Sequence, residues 1–355
     1  MIFPEIALPN FEIAELLAQA GEDAKPPLNK AYRRASRKAM LWADEASHLH
    51  QAGRPLTELP GVGPYLEKII RRWIESPPLV PSPPDIRSNF LTRTQVRFIL
   101  EKKPSWAALA KGDLQMHTLW SDGSGSIWEM AEAGDARGYE YIAITDHSKG
   151  LKIAGGIDEE QLEQQAAEIA SVNDSLRVAG QTIRVLHSIE VNLSVSGDVD
   201  MSASSLDKLD LVLGCFHSAL RKKDDQTERY VAALHNPAIH ILGHPRGRIY
   251  NFRLGLSADW LRVFSVAAEL DKAVEIDSYP DRQDLSGDLL NLAGKAGCRI
   301  SIGTDSHGPS QLEFIEFGLA AALKAKINPE RILNFMSRKE LLGWVANLRD
   351  RDRAA

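Results

Sequence analysis

Apolar and polar positions alternate with two different periods along this chain. Residues 30–50, KAYRRASRKAMLWADEASHLH, place Ala31, Ala35, Ala39 and Ala43 at i, i+4 spacing, with Arg33, Arg34, Arg37 and Lys38 on another face. That pattern predicts a helix. In residues 56–76 Thr57 is placed to cap a short first helix, Gly61 and Gly63 make a tight turn, and a helical period resumes from Tyr65 to Ile74. Five prolines between 77 and 84 cannot continue a helix and predict an extended linker. A short helical piece follows at 92–102. From residue 112 short apolar runs alternate with helical stretches. The runs are 113–117, 141–145, 183–191, 209–216, 239–243, 273–277 and 299–304. Stretches such as 126–138, 159–176 and 286–297 separate most of them. Seven strands alternating with helices predict parallel pairing, and a βα barrel fits better than an open sheet.

The chemistry collects where these strands end. His117 ends the first, with Asp122 in the WSDG that follows. Asp146 and His147 end the second, Glu190 lies in the third, and His217 and His244 follow the fourth and fifth. Glu275 and Asp277 end the sixth, and Asp305 and His307 follow the seventh. In a parallel barrel the C-terminal strand ends converge on one mouth, where active sites are built. Imidazoles and carboxylates without thiolates suit Zn, Mn or Fe in hydrolysis rather than a structural zinc site. More than four ligands implies more than one ion, and Glu190 is placed to bridge two. Arg246 and Arg248 in GHPRGR suit phosphate oxygens.

Composition narrows the class. The chain has 355 residues, 44% hydrophobic and 25% charged, which excludes disordered and low-complexity proteins. Two cysteines, Cys215 and Cys298, make no disulfide framework and suggest a reducing compartment. The N-terminus has no basic region and carries Glu5 and Glu12, so no signal peptide is expected. No apolar run reaches membrane-spanning length, and a cytoplasmic protein without a membrane partner is expected. The net charge of −6 is unevenly divided: residues 25–103 hold 15 Lys/Arg against 7 Asp/Glu, and the rest hold 27 against 41. A basic module joined to an acidic one suits a polyanion-binding part and a metal-binding part.

GDLQMHTLWSDGS, ITDHS, SIEVN, GCFHS, GHPRGR and GTDSH, in this order, resemble the motifs of the PHP (polymerase and histidinol phosphatase) superfamily. The resemblance is strongest to the PHP module at the C-terminus of bacterial family X DNA polymerases. It implies a distorted (β/α)7 TIM-like barrel over 112–345 and two to three divalent ions, Mn or Zn. By motif position the implied ligands are His117, Asp122, His147, Glu190, His217, His244, Asp305 and His307. Asp305, His307, Glu190 and Arg246 are the residues this implies at the chemistry. The superfamily's opening motif reads Asp-x-His-x-His, whereas this chain has Gln115 at the first histidine position. A neutral amide oxygen is a weaker donor than imidazole, so the ion beside His117 should bind more weakly or depend on a water in place of Gln115.

LPGVGPYLEKII at 59–70 resembles a helix-hairpin-helix motif, with Glu67 at a position that is usually small. Backbone N–H groups around Gly61 and Gly63 can face a phosphate. Lys68, Arg71 and Arg72 add non-specific contacts. AYRRASRKA upstream is similar to the lyase-type domain of family X polymerases. The organisation read from the sequence is an all-α helix-hairpin-helix module at 1–76, a linker with a short helix at 77–111, and the barrel at 112–345. No polymerase palm fits between 77 and 111, so no polymerase activity is expected. DNA is the expected partner, and a 3′–5′ exonuclease or end-processing phosphoesterase is the leading function. The alternatives are a small-molecule phosphomonoesterase like histidinol phosphatase, and a DNA-binding protein with an impaired metal site. Trp120 and Tyr250 are candidates for base stacking or packing near the mouth. Trp42, Trp73 and Trp106 are expected in the helical core, and Cys215 as a small core residue. Glu275 and Asp277 are candidates to orient ligands, and Arg282 to bind phosphate. Oligomeric state is open.

Overall fold

A computed structural model describes residues 6–354. They form two compact units. The first runs to Lys103 and takes in Ile249–Leu254; the second holds Pro104–Arg248 and continues from Gly255.

The first unit is helical: α1 (Asn10–Asp23), α2 (Leu28–Ala39), α3 (Ala46–Gln51), α4 (Pro64–Glu75) and α5 (Arg93–Glu101). The helix expected across 30–50 is therefore two helices. The break has tertiary causes. The Met40 carbonyl accepts the Arg93 N–H at 2.8 Å, and Trp42 Nε1 donates to the Pro60 carbonyl at 3.0 Å. Glu45 takes the Asn10 N–H at 2.7 Å and the Thr94 hydroxyl at 2.5 Å. Thr57 does not act as a cap; it lies inside a 3-10 turn, Leu56–Glu58, that follows Pro55.

The proline-rich stretch carries no regular element between Pro77 and Thr92 and belongs to this first unit, as does α5. Arg87 anchors it. Its buried guanidinium grips Glu15 with two 2.8 Å bonds and also bonds Glu22 and Asn251. A buried ion pair of this kind costs about 3–5 kcal/mol to break from one side. Tyr250, expected near the barrel mouth, lies instead in this unit's core with Leu17, Trp42 and Ile70. Its hydroxyl is 3.1 Å from Ser36 Oγ and its ring meets Phe90 edge-on. Trp42 is in the same core and Trp73 packs against it. Trp106 belongs to the second unit, where its indole donates to the Leu319 carbonyl.

The second unit is an α/β barrel of seven parallel strands in sequential order. They are β1 (Gly112–Asp113), β2 (Tyr141–Ile144), β3 (Arg184–Asn192), β4 (Leu211–Cys215), β5 (Ile241–Leu242), β6 (Ala273–Asp277) and β7 (Arg299–Gly303). The helices are α6 (Pro104–Ala107), α7 (Ile127–Asp135), α8 (Glu159–Val178), α9 (Ala203–Leu206), α10 (Thr227–His235), α11 (Trp260–Glu269), α12 (Gly287–Ala296), α13 (Ile315–Lys324) and α14 (Arg338–Ala354). Parallel neighbours need crossover connections, and most strand pairs are joined through a helix. Four of these helices begin with a capping box or an Asp cap: Ser126 with Glu129, Asp158 with Gln161, Asp259, and Ser337 with Glu340. Such caps contribute about 1 kcal/mol each.

β1 is shorter than the run at 113–117 suggested. Side chains replace its ladder. Asp113 accepts the Thr304 hydroxyl at 2.5 Å and the Thr304 N–H at 3.1 Å. Asn334 donates to the carbonyls of Gly112 and Ile302 and accepts the Ile302 N–H at 2.7 Å. A single parallel bridge, Met116 to Ser306, continues the seam toward the mouth. The β1–β7 edge, where backbone polar groups would otherwise lack partners, is thus closed by side chains into a nearly complete barrel.

Candidate metal centre

The C-terminal ends of the strands and the segments after them bring their side chains to a common point: His117 and Asp122 after β1, His147 after β2, Glu190 from β3 itself, His217 after β4, His244 after β5, and Asp305 and His307 after β7. Glu190, fully buried in β3, lies at its middle. Its Oε1 is 2.9 Å from His217 Nε2 and 2.9 Å from His244 Nε2. Its Oε2 is 3.3 Å from His117 Nε2 and 3.6 Å from His147 Nδ1. His117 Nε2 also lies 3.0 Å from Asp305 Oδ1. Asp122 Oδ1 stands 3.6 Å from His147 Nε2 and 3.4 Å from His307 Nε2. Four groups emerge whose donor atoms lie within 4.8 Å of one another: His117/Asp122/His147/His307, His147/Glu190/His217, Glu190/Cys215/His244 and His117/Glu190/Asp305.

These spacings fit ion binding. Donors about 2.0–2.1 Å from a tetrahedral zinc sit about 3.3 Å apart. The observed pairs span 2.9–3.6 Å. The tautomers fit too. His307 Nδ1 is 2.8 Å from the Asp305 carbonyl and donates to it, leaving Nε2 with a lone pair. His217 Nδ1 is likewise held by Asn192 Oδ1 at 3.1 Å, leaving its Nε2 free to ligate. The Nδ1 atoms of His117 and His244 are buried without hydrogen-bond partners.

The backbone is bent to bring these groups in. His244 has φ +23° and Asp305 φ +50°, both left-handed for residues with a Cβ. Such positions cost about 1–3 kcal/mol each and persist where the surroundings fix them. His244 is fixed by its N–H, which donates to Glu275 at 2.7 Å. The turn beyond it is fixed by Asp284, which accepts the N–H groups of Arg246 and Gly247 at 2.9 and 2.7 Å. The loop carrying Asp122 folds over His117 because residue 123 is glycine. A Cβ there would stand 2.5 Å from the His117 carbonyl.

Electrostatics differ sharply from group to group. Burial opposes charge on His117, but its hydrogen bonds to the Asp305 and Glu190 carboxylates hold its pKa well above the ordinary value. Burial and the neighbouring charge of His117 push His147 down to about 3. Burial opposes ionisation of Glu190, but the surrounding imidazoles keep it well below the usual carboxylate range. Burial raises Glu275 to about 8 and raises Asp277 well above its ordinary value, with Asp305 adding to the latter.

The structure therefore brings together His117, Asp122, His147, Glu190, His217, His244, Asp305 and His307. It does not bring Arg246 to them: that guanidinium donates from Nε to the Leu256 carbonyl at 3.3 Å. Arg248 is buried, which lowers its pKa to about 10. The cation that does reach the centre is Arg282, whose Nη2 is 3.2 Å from Asp305 Oδ2. Asp146 is occupied structurally, accepting from Thr118, Ser121 and Gln165. Trp120 is half-buried and donates to Glu168. Cys215, expected only in the core, packs there and also reaches the Glu190–His244 group. Asn192 and Asp284 escaped the sequence reading, because amides and acids outside the motif positions carry no local signature.

In the first unit Gly61 has φ +83°, a conformation costly for any residue with a Cβ. Gly63 stands at the start of α4 with no side-chain cap, and Pro64 occupies the first turn. Lys68 and Arg72 are exposed, whereas Arg71 pairs with Glu67 at 2.9 Å. Glu67 also accepts the Leu56 N–H, which gives the unusual acid a structural task. No described helix is long and apolar enough to cross a membrane.

No family model matches the chain. It is 36% identical over 236 residues to the DNA polymerase/3′-5′ exonuclease PolX of Bacillus subtilis, a match covering 66% of this chain and 41% of that protein. The chain thus spans about two fifths of that relative's length. It is 27% identical over 234 residues to the Escherichia coli K12 protein named "Probable phosphatase YcdX", covering 64% of this chain and 91% of that one. Among solved structures, a histidinol phosphate phosphatase from Lactococcus lactis, complexed with zinc, L-histidinol and phosphate, matches with TM-score 0.39 and 15% identity over 68% of this chain and 94% of that one.

Proposed function

From a barrel that belongs to the polymerase and histidinol phosphatase superfamily, we propose that this chain is a divalent-metal-dependent phosphoesterase. Its proposed substrate is nucleic acid, cleaved from a 3′ end or processed at an end. The carrying observation is Glu190, one carboxylate within 3.6 Å of four imidazoles. The proposed holders of the ions, Mn or Zn, are Asp122, His147 and His307 on one side and Glu190, His217 and His244 on the other. When bound, such ions stabilise negative charge on a phosphate and make a water more acidic.

The chain's own groups do the rest. Asp122, His217 and His307 are the ligands with exposed faces, so the phosphate approaches from their side. His307 Nε2, with its lone pair kept free by the bond at Nδ1, is oriented to ligate beside Asp122. Glu275 holds His244 through the backbone, a positioning task. The hairpin at Gly61 and Gly63, with Lys68, Arg71 and Arg72, is the proposed grip on the nucleic-acid backbone.

A second reading is a small-molecule phosphomonoesterase. The Escherichia coli relative favours it, since the match spans 91% of that protein. One assay separates the two. Purified chain with Mn, Zn or Mg is offered labelled single-stranded DNA, duplex DNA and a phosphomonoester, with His217→Ala as control. Shortened DNA supports the first reading. Turnover of the monoester alone replaces it with the second. Retention of DNA without any turnover overturns both in favour of a binding protein.

A further inference from the structure

Position 115 is where the chain departs from the opening motif it resembles, and the structure shows what the side chain there does. Gln115 is fully buried. Its amide Nε2 donates to Glu190 Oε2 at 2.9 Å, so it turns a proton toward the centre where an ion requires a lone pair. Its Oε1 points the other way. That atom has no hydrogen-bond partner and lies against Gly303, within 3.1 Å of where a Cβ would stand. The same missing Cβ would meet Glu275 Oε1 at 2.3 Å, so the backbone at 303 makes room for both side chains.

The second departure from a simple ion site is a resident cation. Arg282 Nη2 lies 3.2 Å from Asp305 Oδ2, and its Nε lies 3.7 Å from Asp277 Oδ2. The loop is set by the Arg282 N–H, which donates to the Tyr279 carbonyl at 2.8 Å. Of the three donors that meet at this position, His117, Glu190 and Asp305, two therefore carry protein hydrogen bonds or a guanidinium on an oxygen. A fixed positive charge beside Asp305 opposes a divalent ion there. The donor set does not fit a third ion.

We propose that this centre holds two ions, and that Arg282, with Gln115 capping Glu190, supplies the positive charge at the third position. The proposal rests on the metal-dependent reading above, and its test counts ions rather than turnover. The full-length chain is stripped with chelator, reloaded with manganese chloride, desalted and analysed by inductively coupled plasma mass spectrometry. Two ions per chain are expected. Gln115→His raises the count above two, and Gln115→His with Arg282→Gln brings it to three. Three ions, or one, on the unaltered chain overturn the proposal and leave the phosphoesterase reading standing. None at all overturns both. A double variant that melts cooperatively yet stays at two also overturns it. Should that variant fail to fold, the count on the unaltered chain decides alone.

Discussion

Glu190 touches every group of donors but the one around Asp122, so replacing it tests the centre most directly. Glu190→Gln removes a shared charge while keeping the shape. Its loss of kcat/KM and of bound metal should exceed the roughly 10–100-fold that an outer-shell partner is worth. Glu275→Gln, which leaves all ligands in place, should fall inside that range. Equal losses in both variants would deny Glu190 its bridging place. A second residue reports on pH rather than chemistry. His240 is buried, and its Nδ1 accepts the Val212 N–H at 3.0 Å, which requires the neutral ring. Burial lowers its pKa to about 3, against about 6.5 in the unfolded chain. Its contribution to stability is whole above pH 6.5 and is lost as the pH falls toward 3. Urea midpoints between pH 7 and 4 should show the unaltered protein losing about 3 kcal/mol more than His240→Asn. Parallel curves would refute this. At this scale the clustering of the imidazoles and carboxylates was legible because strand ends and motif order place them together. Arg246 was misplaced because adjacency in sequence to His244 says nothing about where a long side chain turns.

Two elements carry tests of their own. The seam between β1 and β7 depends on Asn334, and Asn334→Leu leaves the Ile302 N–H and two carbonyls without partners. At about 1–3 kcal/mol for each buried group stranded, a loss on the order of 3 kcal/mol or more is expected in denaturant unfolding. The hairpin before α4 is tested by Gly61→Ala. The left-handed φ makes a Cβ cost about 1–2 kcal/mol, and DNA retention in a gel shift should weaken beside a near-normal barrel activity on small esters. All seven strands were visible in the sequence as apolar runs separated by helices. Their lengths were not: β1 and β5 are two residues each, because side chains and loops take up the hydrogen bonds a longer ladder would have made. The continuous helix read over 30–50 failed for a related reason. Periodicity registers the preference of a segment, and Met40, Trp42 and Glu45 answer to partners far along the chain.

For the molecule as a whole, bound ions should act as a stability reservoir. A ligand held at 100 times its dissociation constant stabilises by about 2.7 kcal/mol, which for a barrel of this size is on the order of 5–10 °C in Tm. Chelator should lower the thermal midpoint by that much and added Mn or Zn restore it; an unchanged midpoint would mean that the carboxylates and imidazoles balance one another unaided. The sequence's opposite charge balances on the two parts were readable from counting. The composition of the first unit was not, since Ile249–Leu254 lies far from it in sequence and nothing local marks where it goes. That segment has a practical consequence. Suppose a protease nicks the chain just after Lys103. The peptide beginning at Pro104 still owns Tyr250, buried beside Ser36 and Phe90, and Asn251, bonded to Arg87. The nicked protein should run as two bands in detergent and travel as one species in native buffer. A gene truncated at the same place would encode a first unit lacking part of its own interior. A graft that moved residues 1–103 onto another barrel would inherit the same gap unless it carried six residues from the middle of this one.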